Sequence, residues 1–216
     1  MESAALQAGD RIVCDLLTGF LGSGKTTLLN RFLRTDQARG TAVVVNEVGA
    51  VGIDQLILTQ VSENVALLES GCLCCTLNGS LRETLLDLKR QARQANRPLR
   101  RVLVETTGLA EPAPILHALL GDKTLTDSYV LGRVIATVDA QQALAQIEGQ
   151  RETVRQIALA DVLAISKTDL AGPESAGALP AALDALNRTA RRIDVHEPDA
   201  LARIFETPVA SEHARR

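Results

Sequence analysis

Tryptophan is absent from this chain, and one tyrosine and three phenylalanines are its only aromatic residues. At 2% aromatic content the core must be filled by Leu, Val, Ile and Ala, which suits a buried parallel sheet covered by helices. The same scarcity argues against a base-stacking surface for single-stranded nucleic acid. An excess of one charge sign is also missing: 23 basic and 26 acidic residues leave a net charge of −3. The pairs Arg100–Arg101 and Arg191–Arg192 are too short to form a basic block and read as solvated helix ends and loops. Nucleic acid is therefore not an expected partner. No apolar run approaches the ~20 residues that span a bilayer. Met1 to Asp10 lacks the basic start and apolar stretch of a signal peptide. The expectation is a cytoplasmic protein with no membrane partner. In that reducing setting the four cysteines read as ligands, reactive thiols or core residues and not as disulfides.

What is present alternates. Short apolar runs at Ile12–Leu17, Val43–Val45, Val65–Leu68, Val102–Val104, Val134–Val138 and Val162–Ile165 read as strands, with a weak one at Ile193–Val195. Helical spacing separates them. Leu81, Leu85, Leu88 and Ala92 follow a capping-box match at Ser80 and Glu83. Pro112 and Pro114 open a helix carrying Ile115, Leu116 and Leu119, and Gly121 stops it. Val154, Ile157, Ala158 and Asp161 read as another helix, and Ala171 to Leu179 as a surface loop. The expected fold class is α/β, a P-loop NTPase with a mostly parallel sheet and helices on both faces. Ligands of such sheets sit at the carboxyl ends of the strands.

The strongest motif is Gly19 to Thr26, which fits G-x-x-x-x-G-K-[ST] between a strand and a helix. Glycines let backbone N–H groups turn inward around phosphates, and the following helix adds its positive end. Gly22, Ser23, Gly24 and Thr27 belong to this cradle. Lys25 reaches the β- and γ-phosphates, and the Thr26 hydroxyl serves Mg²⁺. Glu105, after its strand, is a carboxylate that holds Mg²⁺ directly or through water, and Gly108 brings an N–H to the γ-phosphate. Ser166, Lys167 and Asp169 follow the strand Val162–Ile165 in the place of an Asn-Lys-x-Asp guanine motif. The Asp accepts two hydrogen bonds that adenine cannot offer, so GTP is the expected nucleotide. Ser replaces Asn here. The alternative is a turn in which Thr168 or Asp169 caps the next helix.

Cys72, Cys74 and Cys75 stand within four residues. Thiolates select soft or borderline ions, and three ligands leave a fourth position open. A small-residue turn or a redox pair is the alternative. Cys14, inside the first strand, reads as core packing.

The order of these motifs resembles the CobW-type metallochaperone GTPases, of the SIMIBI class. The resemblance rests on Thr18 to Asn30, Asn46 to Gly49 with Gly52 to Asp54, Gly71 to Cys75, Glu105 to Gly108 with Glu111 and Pro112, Thr137 to Asp139, Ala160 and Asp161, and Ser166 to Leu170. It runs from about Ile12 to about Val195. It implies a GTPase that couples hydrolysis to delivery of Zn²⁺, Co²⁺ or Fe²⁺ to a client metalloprotein or a metal-dependent cofactor pathway enzyme. A nucleotide-dependent homodimer is a further implied partner. The resemblance gives Glu47 the task of sensing the nucleotide and ordering Mg²⁺, water or the transferred metal. It gives Cys72, Cys74 and Cys75 the transition metal, and Asp139 either a contact near the nucleotide or a helix cap.

Two departures stand out besides Ser166: Ala50 occupies the place of a second acidic residue, and the chain has three histidines. The expected layout is a flexible segment over residues 1–10, a GTPase domain over 11–207 and a flexible tail over 208–216. The family's smaller C-terminal domain is expected to be absent. The competing functions are a nickel GTPase, a nucleotide-gated metal buffer or sensor with little turnover, and an ATP-using P-loop enzyme.

Overall fold

The computed structural model describes residues 11–47, 65–69 and 77–206. Seven strands form one sheet: β1 (Ile12–Gly19), β2 (Thr41–Glu47), β3 (Val65–Glu69), β4 (Arg101–Glu105), β5 (Tyr129–Asp139), β6 (Val162–Ser166) and β7 (Arg191–Asp194). Their order is β3-β2-β4-β1-β5-β6-β7 and every pairing is parallel. All carboxyl ends therefore lie along one side of the sheet. The chain leaves β1 toward one edge, returns at β4, and then runs from β5 to the other edge, so β1 and β4 flank the point where a ligand crevice opens.

Helices cover both faces: α1 (Lys25–Leu33), α2 (Leu77–Gln94), α3 (Pro112–Gly121), α4 (Lys123–Thr126), α5 (Ala143–Gly149), α6 (Arg151–Leu159), α7 (Pro173–Leu186) and α8 (Ala200–Ile204). The side-chain period of two sorts each strand between the faces. Leu17, Val43, Val45 and Leu103 pack with Leu28, Leu29 and Phe32 of α1 and with Ile204 of α8. Leu16, Ala42, Val44 and Val104 pack with Leu81, Leu85 and Leu88 of α2 and with Ile115 and Leu119 of α3. Ala136, Val138, Leu163 and Ile165 pack with Ile157 of α6 and with Leu179 and Leu183 of α7. Two of the few aromatics, Phe32 and Phe205, are fully buried and stack at 4.0 Å. Cys14 is core, as read from the sequence.

Four sequence expectations are corrected. Arg101 is not solvated: it is 6% exposed, opens β4, and places its Nε 3.1 Å from Asp15 Oδ2 with its guanidinium over the Phe32 ring. Arg191 and Arg192 also begin a strand, not a loop. Ser80 is no cap, because α2 already starts at Leu77. Asp161 lies beyond α6, where its Oδ2 accepts from the Val134 N–H at 2.9 Å. The supposed loop Ala171 to Leu179 is mostly helix, since α7 begins at Pro173 with Gly172 as its cap. A proline at the first helical position, Glu174 in the first turn and several alanines outweigh the turn-like composition. The flexible ends expected at 1–10 and 208–216 lie outside the described residues.

Candidate functional site

The loop between β1 and α1 follows from its glycines. Gly19 has φ +135°, and a Cβ there would sit 2.2 Å from Thr137 Oγ1 and 2.6 Å from the Thr137 carbonyl, so only glycine fits. Gly22 and Gly24 also have positive φ, 73° and 95°. Gly24 caps α1 without a side chain, which leaves the first N–H groups of the helix facing the loop. Ser23 is buried and its Oγ lies 2.6 Å from Thr137 Oγ1 on β5. Thr27 is exposed on the first turn of α1. Lys25 is 9% exposed, and its Nζ donates to the carbonyls of Gly19 at 2.9 Å and Phe20 at 3.1 Å. The ammonium is thereby drawn into the curve of the loop.

Glu105 closes β4, in register with Leu17 of β1 and Val45 of β2. It is 4% exposed, and its Oε1 accepts from Thr26 Oγ1 at 2.9 Å. A hydroxyl from the P-loop and a carboxylate from the neighbouring strand thus meet as an all-oxygen pair, the donor type that suits Mg²⁺. Beyond Glu105, Thr106 is tied to β1 through its N–H to the Leu17 carbonyl and its hydroxyl to Thr18 Oγ1. Gly108 then presses on the P-loop: a Cβ there would stand 2.5 Å from the Leu21 nitrogen and 2.7 Å from Leu21 Cδ2.

At the end of β6, Ser166 is buried and its hydroxyl donates to the Ser23 carbonyl at 2.8 Å. Lys167 has φ +55° and pairs with Asp139 at 2.5 Å. Asp139 also accepts from the N–H groups of Gln141 and Gln142. Asp139 is therefore not the cap of α5, which is Gln142; it bonds the turn before that helix and pins Lys167. Asp169 is exposed. Neither Thr168 nor Asp169 caps a helix, because the next helix is capped by Gly172. Thr168 bonds to His196, which lies 3.8 Å from Asp169. Burial pulls the Asp194 carboxyl up. Hydrogen bonds from the His196 N–H, the Thr168 hydroxyl and the His196 ring outweigh it and hold the carboxyl below the usual range.

The structure therefore brings together Gly22, Ser23, Gly24, Lys25, Thr26, Glu105 and Gly108, with Ser166 joined to them and Lys167 and Asp169 on the adjoining loop. Glu47 ends β2 with its backbone paired to Glu69 of β3, and its side chain lies outside the description. Cys72, Cys74 and Cys75 and the segment around Ala50 lie outside the described residues. Among the described residues no group of His, Cys, Asp and Glu forms a metal cluster, and no helix is long and apolar enough to cross a membrane.

One residue escaped the sequence reading. Gln156 of α6 is 1% exposed and donates from Nε2 to the carbonyls of Gly108 and Ala110, each at 3.1 Å. The buried residues of α6 are Thr153, Gln156 and Ile157, a face turned away from the one that Val154 and Ala158 suggest. The i, i+3, i+4 spacing of those three was the available signal.

The model of the CobW/HypB/UreG nucleotide-binding domain matches residues 13–194. This chain belongs to that family. The zinc chaperone YjiA of Escherichia coli K12 is 37% identical to this CobW/HypB/UreG member over 161 residues, covering 74% of this chain and 51% of the relative. The zinc-regulated GTPase metalloprotein activator 1 of Schizosaccharomyces pombe is 30% identical over 205 residues, covering 92% and 46%. The crystal structure of Zn(II)-bound YjiA GTPase from E. coli matches with a TM-score of 0.68 and 31% identity over 87% of this chain and 58% of that one. The nickel-bound HypB of Helicobacter pylori, at 16% identity and a TM-score of 0.60, shares the fold. The chain spans about half the length of the curated relatives it matches.

Proposed function

We propose that this chain is the nucleotide-binding engine of a GTP-hydrolysing metallochaperone, in which Mg-GTP binding and hydrolysis drive the uptake and delivery of a transition metal to a client. The observation that carries this reading is the Thr26–Glu105 contact beneath a P-loop whose serine carbonyl is held by Ser166 of the base motif. Phosphate, magnesium and base positions then share one carboxyl edge of the sheet. The relatives named as zinc chaperones make zinc the first metal to test, with cobalt and iron as the other candidates.

In this reading Lys25 exchanges its two carbonyl partners for the β- and γ-phosphate oxygens. Thr26 and Glu105 hold Mg²⁺, which when bound neutralises charge that develops on the phosphates. Gly108 approaches the γ-phosphate by its N–H, and Asp169 selects guanine. The metal cargo falls to Cys72, Cys74 and Cys75, with Glu47 linking it to the nucleotide.

Topology supports that link. β2 and β3 are neighbours in the same sheet, and Glu47 pairs with Glu69, three residues before Cys72. β3 is three places from β1, or about 14 Å at the usual strand spacing. Six extended residues, the separation of Cys75 from Glu69, span at most about 20 Å, so chain length permits that distance for Cys75, whereas the three to Cys72 span at most about 10 Å. The client is a metalloprotein or a metal-dependent cofactor pathway enzyme, and the protein works in the cytoplasm.

The test is a single turnover of GTP by zinc-loaded protein with a chromogenic chelator present. Intrinsic hydrolysis is expected to be slow, on the order of 10⁻³ to 10⁻² s⁻¹, as in P-loop GTPases without a supplied arginine. Zinc should leave in step with phosphate, and Lys25→Ala should stop both. Zinc release that ignores hydrolysis would favour a passive metal buffer.

A further inference from the structure

We infer that Gln156, with Arg155 beside it, is a positioning pair that presets the loop after β4 for the γ-phosphate and so lets this site tell GTP from GDP. The inference rests on the nucleotide reading given above and adds to it the residues that hold the sensing loop.

The loop is fastened at both ends. Thr106 ties its start to β1. Gln156 takes the carbonyls of Gly108 and Ala110, and Arg155 bonds the carboxylate of Glu111. Consecutive residues of α6 thus grip consecutive parts of one loop. Between the fastenings the Ala110 N–H bonds the Thr107 carbonyl, and Gly108 lies against the P-loop at Leu21.

Gln156 suits this task because both of its amide hydrogens meet acceptors. That fixes which end of the side chain is nitrogen. Peptide groups are planar and trans, so a carbonyl held toward α6 sends the next N–H away from α6. Gln156 therefore sets the direction of the Leu109 and Glu111 N–H groups as well as the path of Gly108. Its burial makes the bonds costly to lose, since both carbonyls would be left in a dry setting. GDP has no γ-phosphate, so its affinity should not depend on this loop.

The test compares Gln156→Met with the wild-type chain of 216 residues, using fluorescent GDP and a fluorescent non-hydrolysable GTP analogue, each with Mg²⁺. Loss of two neutral hydrogen bonds should weaken the analogue about 10-fold while GDP affinity changes less than about 2-fold. A merely structural role would weaken both nucleotides alike. Arg155→Ala and Glu111→Ala alter half-exposed side chains and keep the test open if Gln156→Met does not fold. Each should weaken the analogue by about 2-fold, in keeping with an exposed ion pair, and spare GDP. Equal effects on both nucleotides, or none on either, would overturn the assignment. Wild-type protein that binds neither nucleotide would overturn the GTPase reading along with it.

Discussion

The Ser166 hydroxyl donates to the Ser23 carbonyl at 2.8 Å, so the loop after β6 is bonded to the loop between β1 and α1. Ser166 Cβ also stands 3.7 Å from where a side chain on Gly24 would begin. In the sequence Ser166 looks like a weakened version of the usual asparagine. In the fold it is a strut. Ser166→Ala should weaken GDP and GTP-analogue binding together, by about 5-fold, the worth of one hydrogen bond. Fluorescent nucleotide titration checks this, and a loss confined to one nucleotide would argue against it.

Asp169 should decide the base. Its loop is steadied from the end of β7 through Thr168, Asp194 and His196, while its own carboxylate stays exposed. Asp169→Asn should lower the preference for GTP over ATP by about 10- to 100-fold and raise use of xanthosine triphosphate. Steady-state turnover with the three nucleotides reads this directly. Wild-type protein that turns over ATP and GTP equally would remove the guanine assignment.

Cys14 should be chemically silent. It is fully buried, and desolvation followed by the neighbouring Asp15 pushes its thiol far above the ordinary range. With Cys72, Cys74 and Cys75 all changed to Ser, native protein should give under ~0.1 equivalents of reactive thiol at pH 8 and about one after unfolding. A full equivalent from the native protein would place Cys14 among the candidate metal ligands.

Asp122 should carry a pH-dependent share of stability. The Leu125 N–H, and then the Arg82 guanidinium, hold its carboxyl below the usual range. A depressed folded value stabilises the fold above the unfolded value of about 3.9 and loses that contribution as pH falls through the folded value. Wild type should be more stable than Asp122→Asn at pH 7, and the gap should close below about pH 4. Urea unfolding at several pH values measures it. A constant gap would mean that the charge is not what matters.

Among the described residues the strands were legible in the sequence because buried parallel strands are nearly unbroken apolar runs such as Val43–Val45, while β7, with only Ile193 buried, left a weaker trace. Their lengths were less so. β5 starts at Tyr129, well before the Val134–Val138 run, because Gly132 and Arg133 interrupt the pattern. Gly132 makes room for the Asp15 carboxylate, and Arg133 donates its backbone N–H to that group and its side chain to the Glu206 carbonyl. Those reasons lie in other parts of the chain. The P-loop was legible because its geometry is encoded locally, in glycines at positive φ. Gln156 was not, because a glutamine on a helix looks solvated until its partners at Gly108 and Ala110 are known. The helix α7 was hidden for a local reason: its opening is written in Gly, Pro, Ser and Ala.

Nucleotide state and metal affinity should be linked, and one titration tests that link. Zn²⁺ is titrated into the chain bound to GDP and, separately, to a non-hydrolysable GTP analogue, for wild type and Cys74→Ala. Linkage of about 1–3 kcal/mol should separate the two wild-type zinc affinities by roughly 5- to 150-fold, and zinc should shift GTP-analogue affinity by the same factor. Cys74→Ala should weaken zinc in both states while leaving GDP affinity within about 2-fold. Identical zinc affinity in the two nucleotide states would contradict the account, even with GTP hydrolysis in hand.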